Sequence, residues 1–260
     1  MTRIIAVANQ KGGVGKTTTC VNLASALVEA NRKVLLIDLD PQGNATMGCG
    51  INSRQLEQSA LEVLLGEASI ADVRVELEHG LHLVPANTDL TAAEVGLMEA
   101  EDRELKLKRA ISEVADAYQY VIIDCPPSLS MLTVNALCAA HGVLIPMQCE
   151  YYALEGLTSL LDTIGRVQET VNPGLQLEGL LRTMFDVRNN LSNEVSTQLI
   201  QHFGDKVYRT IVPRNIRVAE APSFGEPVIR YDRASRGAIA YLGLAGEMLR
   251  RERQAAGVGQ

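Results

Sequence analysis

A glycine-rich segment near the start of the chain has the composition of a phosphate-binding loop. It follows the apolar run Ile4–Ala8 and reads Gln10-Lys11-Gly12-Gly13-Val14-Gly15-Lys16-Thr17-Thr18. Glycines allow backbone N–H groups to turn inward around phosphate oxygens, and the N-terminus of a following helix adds free amides and partial positive charge. In such a loop Lys16 is predicted to reach the β- and γ-phosphates, and the hydroxyl of Thr17 to ligate Mg²⁺.

Carboxylates end two other apolar runs. Val34–Asp38 is followed by Leu39 and then Asp40, and Tyr120–Asp124 is followed by Cys125-Pro126-Pro127. An Asp at the end of an apolar strand is the usual Mg²⁺ partner in phosphate-loop proteins. We therefore predict that Thr17, Asp38 and Asp124 hold the metal.

The base of the nucleotide is predicted to be adenine. Proteins that read guanine carry an N-K-x-D element, and this chain contains no Asn-Lys dipeptide. The expected ligands are therefore ATP and Mg²⁺.

Charge is distributed unevenly along the chain. The net charge is −7, yet residues 182–251 carry 11 Lys and Arg against 7 Asp and Glu. Most of these cations are arginines, whose planar fork of donors suits phosphate groups. A basic surface for phosphates is one interpretation, and a solvated surface with ion pairs is the other.

The order of the predicted elements indicates the fold class. Short apolar runs alternate with amphipathic stretches, which predicts an α/β fold with a single, doubly wound, mostly parallel sheet and helices on both faces. The predicted strands are Arg3–Asn9, Lys33–Asp38, Leu81–Pro85, Tyr120–Asp124, Val143–Gln148, Leu177–Phe185 and Val207–Val212. The predicted helices are Lys16–Ala30, Glu101–Ala117, Ser128–Ala140, Leu154–Val171, Leu191–Phe203 and Arg233–Arg253. Ligands of such sheets bind beyond the carboxyl ends of the strands.

Composition predicts one globular domain over residues 1–260, with a disordered tail at 254–260. Apolar residues make up 47% and charged residues 21% of the chain, which is ordinary for a globular protein. No apolar run approaches the roughly 18–20 residues of a membrane helix, so we expect a cytoplasmic protein that does not bind membranes. The segment 52–78 carries no interpretable motif and is a candidate helical cover over the carboxylate loops.

Three motifs together resemble the ParA/MinD family of ATPases with a deviant Walker A loop. The run K-G-G-x-G-K-T over Lys11–Thr17 has the second lysine of that family, and Asp38-Leu39-Asp40-Pro41 resembles its switch I. Ile123-Asp124-Cys125-Pro126-Pro127 resembles its I-D-x-P-P element. Downstream, the runs 213–217 and 220–227 are similar to the chromosome-partitioning ParA or Soj type, so the resemblance covers nearly the whole chain.

The resemblance implies roles for single residues. Lys11 is expected to cross a dimer interface and contact the partner's nucleotide, and Asp40 to orient the attacking water. Met184, Pro213 and Asn215 are expected to flank the adenine.

The resemblance also implies partners. The expected protein is a homodimer with ATP that binds double-stranded DNA without sequence preference, which places it on the nucleoid. A ParB-type centromere-binding protein is expected to stimulate hydrolysis. Contacts to phosphates alone give such sequence-independent, salt-sensitive binding. The candidate DNA contacts are Arg188, Arg214 and Arg217, with Lys206 and Arg236 behind them.

Three alternatives stay open at this point. A MinD-like ATPase that cycles on membranes would end in an amphipathic helix, whereas the last residues here include no aromatic side chain. An Fe–S carrier on the same fold would need paired cysteines, and the five cysteines include no C-x-x-C pair. A metabolic ligase with this loop would need a substrate pocket that the sequence does not reveal.

Overall fold

The apolar runs of the sequence form the strands of one sheet. The computed structural model describes residues 2–98, 100–151 and 153–257. Within these ranges the strands are β1 Arg3–Val7, β2 Val34–Asp38, β3 Val75–Glu76, β4 His82–Val84, β5 Tyr120–Asp124, β6 Gly142–Met147, β7 Gln176–Phe185 and β8 Val207–Pro213. Their order is β3-β4-β2-β5-β1-β6-β7-β8, and every pair is parallel except β3–β4. The predicted doubly wound, mostly parallel sheet is confirmed.

Helices cover both faces of this sheet. They are α1 Lys16–Glu29, α2 Asn44–Gly48, α3 Ala60–Leu65, α4 Ile70–Val73, α5 Thr91–Met98, α6 Lys106–Val114, α7 Met131–Ala139, α8 Ala153–Thr170, α9 Asn190–Phe203, α10 Ile216–Glu220, α11 Val228–Tyr231 and α12 Arg236–Gly257. One core packs α1, α11 and α12 on the sheet, and the other packs α3 and α5–α9 on the opposite face. Neighbouring residues of β1 belong to different cores, Ile5 to one and Ala6 to the other. Burial on both faces is the reason why the strands are continuous apolar runs.

Several predicted boundaries differ from the structure. The predicted helix 101–117 is α6 flanked by short 3₁₀ turns, and α7 begins three residues later than predicted. The predicted disordered tail is helical as far as Gly257, because Arg, Gln and Ala favour helix continuation. Residues 258–260 of that tail lie outside the described residues.

The segment 52–78, predicted only as a candidate helical cover, contains two short helices whose bounds the sequence analysis did not give. Each begins with a reciprocal cap, in which Ser59 pairs with Glu62 and Ser69 with Asp72. Such a Ser followed three residues later by an acid is a recognisable signal for a helix start. The backbone N–H of Ala60 also donates to the carbonyl of Pro85, which attaches α3 to the loop after β4.

Pairing within the sheet brings the ends of three strands together. β5 lies between β1 and β2, with Val7 opposite Asp124 and Asp38 opposite Asp124 in register. The strands are parallel, so the glycine-rich loop and both carboxylate loops leave the same edge of the sheet.

The free edge of β8 is covered by a side chain of α12. The carboxylate of Glu247 accepts the N–H groups of Arg209 and Thr210 at 2.9 and 2.8 Å. It also accepts the hydroxyl of Thr210 at 2.7 Å and pairs with Arg251 at 2.7 Å. An edge strand with unpaired N–H groups could pair with another chain, so Glu247 blocks this edge.

None of the helices in the described part of the chain combines the length and apolar character that a membrane span requires.

Replacing Glu247 should destabilise the fold in a pH-dependent way. We expect Glu247→Ala to lower the free energy of unfolding by about 2–3 kcal/mol at neutral pH, since buried N–H groups lose a charged acceptor. Burial raises the pKa of Glu247, but these hydrogen bonds outweigh it and hold the pKa below the ordinary value of 4.5. The stabilisation is therefore present above about pH 4.5 and lost as the pH falls through the lower, folded pKa.

Chemical denaturation at several pH values tests this expectation. The exposed Glu169, replaced by Ala in the same way, should change stability by less than about 0.5 kcal/mol. A difference between wild type and Glu247→Ala that stays constant down to about pH 3 would contradict the proposed pH dependence.

Candidate nucleotide-binding site

The glycine-rich loop forms one wall of a cavity at the carboxyl edge of the sheet. Gly13 and Gly15 have positive φ angles of 71° and 88°, a region that favours glycine. A Cβ added at Gly12 or Gly13 would meet no atom within 4 Å, so both glycines border open space. The cavity has a volume of about 510 Å³ and is lined by Gly12, Gly13, Gly15, Lys16, Thr17, Thr18, Val21, Asn22, Asp40, Gln42, Asn44, Gly48, Pro127, Met184, Ala221, Pro222 and Glu226.

Neighbouring strands hold the glycine-rich loop in place. The hydroxyl of Thr183 donates to the carbonyl of Val14 at 2.7 Å, and the amide of Gln148 donates to the carbonyl of Gly13 at 3.3 Å. Val14 is buried and points away from the cavity that its neighbours line. The orientation of the glycines is therefore fixed by β7 and by the residue that follows β6, as well as by the loop itself.

The two lysines of the loop occupy different places. Lys16 lines the cavity, is only 6% exposed, and its ammonium donates to the carbonyl of Lys11 at 3.3 Å. Lys11 does not line the cavity, and its Nζ lies 2.5 Å from Oε2 of Glu150 on the rim. The structure thus separates a lysine inside the site from a lysine at its edge.

Asp124 is fully buried and, like Asp38, does not line the cavity, but its carboxylate contacts Thr17, which does. Oδ1 accepts the thiol of Cys20 at 3.4 Å, and the hydroxyl of Thr17 also donates to this carboxylate. Oδ2 is buried and has no hydrogen-bond partner. Burial, and after it the charge of Asp38, raises the pKa of Asp124. An orphaned carboxylate oxygen beside a threonine hydroxyl suits a hard divalent cation, so Thr17 and Asp124 fit the predicted Mg²⁺.

The contacts of Asp38 differ from those of the predicted metal ligand. Its oxygens accept the N–H of Asp40 at 3.1 Å, and the N–H and hydroxyl of Thr46 at 2.8 and 2.7 Å. Asp38 is fully buried and does not line the cavity. Its carboxylate is used to hold the loop that follows, because that loop turns back over the end of β2.

Asp40 stands at the cavity wall, as the sequence predicted. It is 8% exposed, and its Oδ1 accepts the N–H of Gln42 at 3.0 Å. Within the described part of the chain, its other carboxylate oxygen accepts no hydrogen bond. That oxygen is available to a water or phosphate in the cavity.

The three residues predicted to flank the adenine do not all line the cavity. Met184 lines it and has a positive φ of 48°. Pro213 and Asn215 do not line it. The side chain of Asn215 instead caps α10, where it accepts the N–H of Val218 at 3.2 Å. The wall opposite the phosphate loop comes from the next turn along the chain, through Ala221, Pro222 and Glu226.

Two glycines far apart in sequence connect this base-side turn to the carboxylate loop. Gly50 and Gly225 have positive φ angles of 84° and 68°, and a Cβ on Gly225 would lie 2.6 Å from Cα of Gly50. Only backbone fits between the two segments. The turn after α10 therefore packs directly against the segment after α2, far away in the chain.

The predicted DNA contacts are not equivalent in the structure. Arg188 donates to both carboxylate oxygens of Asp186, at 3.0 and 2.8 Å. Arg217 donates to Glu220 at 2.9 Å and lies 3.4 Å from Asp232. Arg214 is exposed and forms no ion pair with any described residue. Arg214 is therefore the predicted contact whose charge is least neutralised.

Comparison with known proteins identifies the family. A family model described as an AAA domain matches residues 2–177. The sporulation initiation inhibitor protein Soj of Bacillus subtilis is 51% identical over 249 residues, which cover 95% of this chain and 98% of Soj. The chromosome partitioning protein ParA of Caulobacter vibrioides is 50% identical over 254 residues, covering 96% of this chain and 95% of ParA. The chain belongs to the ParA/Soj family of chromosome-partitioning ATPases.

A solved structure with bound nucleotide and metal has the same architecture. The structure of cobyrinic acid a,c-diamide synthase from Mycobacterium smegmatis, with bound ADP and magnesium, has a TM-score of 0.87 and 42% identity. The match covers 98% of this chain and 97% of that one. The predicted resemblance to the ParA/Soj family is confirmed, and the predicted cofactors, ATP and Mg²⁺, agree with the nucleotide and metal of that structure.

The cysteines of this ParA/Soj family member are buried. Cys20, Cys49, Cys125, Cys138 and Cys149 are all free thiols. No group of three or more His, Cys, Asp or Glu side chains within the described ranges could hold a metal ion. Burial raises the pKa of Cys49 to about 12, so this thiol is held in its neutral form.

A pair of Asp→Asn variants should separate the two buried carboxylates. We expect Asp124→Asn to raise the melting temperature of the nucleotide-free protein by about 2–6 °C, since it removes a buried ionisable group that has no counterion. The same variant should bind ATP with little strengthening by Mg²⁺. Asp38→Asn should instead lower the melting temperature, because it weakens three hydrogen bonds. Thermal melts and ATP affinities with and without Mg²⁺ measure both effects, and a lower melting temperature for Asp124→Asn would contradict the assignment.

Proposed function

We propose that the protein is an ATP-dependent DNA segregation ATPase. In this proposal an ATP-bound homodimer binds double-stranded DNA without sequence preference, and a ParB-type centromere-binding protein stimulates hydrolysis and release. The observation that carries the proposal is the pair of lysines in one loop, with Lys16 inside the cavity and Lys11 at its rim. The corresponding location is the cytoplasm, with the dimer on the nucleoid.

The chain's residues would divide the chemistry of hydrolysis among them. Phosphoryl transfer needs little covalent chemistry from the protein, so positioned charges suffice. Lys16 and the loop amides would hold the β- and γ-phosphates, and Asp40 would orient the attacking water from the cavity wall. Thr17 and Asp124 would hold Mg²⁺, which neutralises charge on the phosphate oxygens when bound.

Lys11 would link hydrolysis to dimerisation. Its ammonium is paired with Glu150 rather than directed into its own cavity, and both side chains are about half exposed. An exposed pair of this kind is worth only about 0–1 kcal/mol, so it can be exchanged for the phosphates of a partner's nucleotide. Lys11 would thus contact the nucleotide of the second protomer.

The basic part of the chain would supply the DNA surface. Arg182 and Arg251 are ruled out as contacts because they serve the interior, with Arg182 buried against Ser196 and Arg251 stacked on Tyr208. The remaining exposed cations that form no ion pair with a described residue include Arg214, Lys206 and Arg236. Contacts from such side chains to phosphates carry no sequence information, which suits a protein that moves along any DNA.

DNA binding by Asp40→Ala tests the proposal directly. This variant should bind ATP but hydrolyse it slowly, so the ATP-bound dimer accumulates. We expect it to bind random-sequence duplex with ATP, but not with ADP or without nucleotide, and to lose binding as salt rises. Vesicles of anionic lipid are run in parallel. Binding to vesicles and not to DNA would replace the proposal by the MinD-like alternative.

Arg214→Ala tests the position of the DNA surface. We expect weaker DNA binding in the presence of ATP and a salt dependence reduced by about one counterion, because one phosphate contact is lost. Dimerisation with ATP should be unchanged. Arg166→Ala is the matched control, since Arg166 is an exposed arginine of α8 without an ion pair to a described residue. Equal DNA affinities for the two variants, measured at several salt concentrations, would move the DNA surface away from Arg214.

A further inference from the structure

A single buried carboxylate closes the loop that carries Asp40. Asp38 accepts the N–H of Asp40 with one oxygen, and the N–H and hydroxyl of Thr46 with the other. These donors lie at the two ends of the segment 40–46, the loop after β2 and the first turn of α2. Both ends are therefore fixed to the same point at the end of β2.

Thr46 connects this loop to a second part of the protein. It is fully buried, and its hydroxyl accepts the N–H of Ala86 at 2.9 Å while it donates to Asp38 at 2.7 Å. The carbonyl of Ala86 also packs against the backbone of Gly43, since a Cβ on Gly43 would approach the carbonyl oxygen to 2.7 Å. The segment after β4 thus contacts segment 40–46 at two points, the hydroxyl of Thr46 and the backbone of Gly43.

Asp40 has little support of its own. Its Oδ1 accepts the N–H of Gln42 at 3.0 Å, and its carbonyl accepts the N–H of Gly43 at 2.8 Å. Both partners belong to the same loop. Within the described part of the chain, the Asp40 side chain forms no hydrogen bond outside the loop, so its place in the cavity depends on how the loop itself is held.

We infer that Thr46 is a positioning residue for ATP hydrolysis, and that Asp38 and Thr46 together set the place of Asp40 rather than binding the metal. The inference rests on the proposed role of Asp40. A Thr hydroxyl can donate one hydrogen bond and accept others, which is what this position uses. Valine has nearly the same shape but would leave the N–H of Ala86 without an acceptor and remove one donor from Asp38.

The expected kinetic effect falls on the chemical step. Misplacement of a reacting group by about 1 Å can cost about 10²-fold in rate. We expect Thr46→Val to lower kcat by about 10- to 100-fold while the KM for ATP changes by less than about 3-fold, because Lys16 and the glycine loop still bind the phosphates. Thr46→Ser keeps the hydroxyl and should restore kcat to within about 3-fold of wild type. Thr46→Cys keeps only a weak donor and should lie between the two.

A matched control separates positioning from loss of stability. Ser196→Ala also removes a hydroxyl that accepts a buried donor, since Arg182 donates to it at 2.8 Å, but it lies on α9. We expect Ser196→Ala to lower the melting temperature as Thr46→Val does while leaving kcat unchanged. Steady-state and single-turnover hydrolysis are measured on full-length protein below the melting temperature of the least stable variant.

Two further measurements distinguish a positioning role of Asp38 and Thr46 from a role of Asp38 in binding the metal. In an Asp40→Ala background, Thr46→Val should have no additional effect on kcat, because both changes remove the same function. The Mg²⁺ concentration for half-maximal rate should be the same in Thr46→Val and wild type. A raised Mg²⁺ requirement would place Asp38 in the metal site and overturn the inference.

The inference and the proposed function can fail separately. If Asp40→Ala hydrolyses ATP at the wild-type rate, the proposed role of Asp40 fails, and the inference fails with it. If Asp40→Ala is slow but Thr46→Val keeps its kcat, or if Thr46→Ser is as slow as Thr46→Val, only the inference about Thr46 is wrong.

Discussion

The in-register pairing of β5 with β1 and β2 is the constraint on which the site depends. Parallel strands of equal extent end at the same level, so Val7, Asp38 and Asp124 lie side by side at one edge. The glycine-rich loop leaves from the first strand and the carboxylate loops leave from the other two. A register shift of one residue in β5 would turn Asp124 toward the opposite face of the sheet, because side chains alternate along a strand.

This arrangement buries the carboxyl groups of Asp38 and Asp124 close together, and their hydrogen bonding differs. Asp38 receives three hydrogen bonds from the segment that follows it, which offset only part of the cost of its burial, so its pKa is still raised. Asp124 keeps one oxygen without a partner. A buried carboxyl group in this condition costs stability in the absence of a cation, which is consistent with the Mg²⁺ proposed at Thr17 and Asp124.

The arginines of the last third of the chain also differ in role, since some stabilise the fold and others are exposed at the surface. Arg182 and Arg251 satisfy backbone carbonyls around β8, where α12 also supplies Glu247 to the strand's N–H groups. Their guanidinium groups therefore stabilise the β8 edge of the sheet. Arg188 and Arg217 lie at the surface but are paired with neighbouring acids. Counting basic residues therefore overestimates the charge available to a polyanion, and the available charge lies on residues such as Arg214.

The amino-acid sequence was sufficient to predict the fold class, the phosphate loop that carries Lys16 and Thr17, and the strand ends near Asp40 and Asp124. These features follow from local rules, since strand burial, glycine spacing and an acid at a strand end are visible over a few residues. Even the missed helices of segment 52–78 had such a signal in their capping residues. Tertiary structure alone decided that Asp38 holds a loop, that Pro222 rather than Pro213 lines the cavity, and which arginines are paired. Those outcomes depend on contacts between distant segments, such as Thr46 with Ala86 and Gly50 with Gly225. The type of a residue limits what it can bind, but only the packing of the chain decides which partner comes within reach.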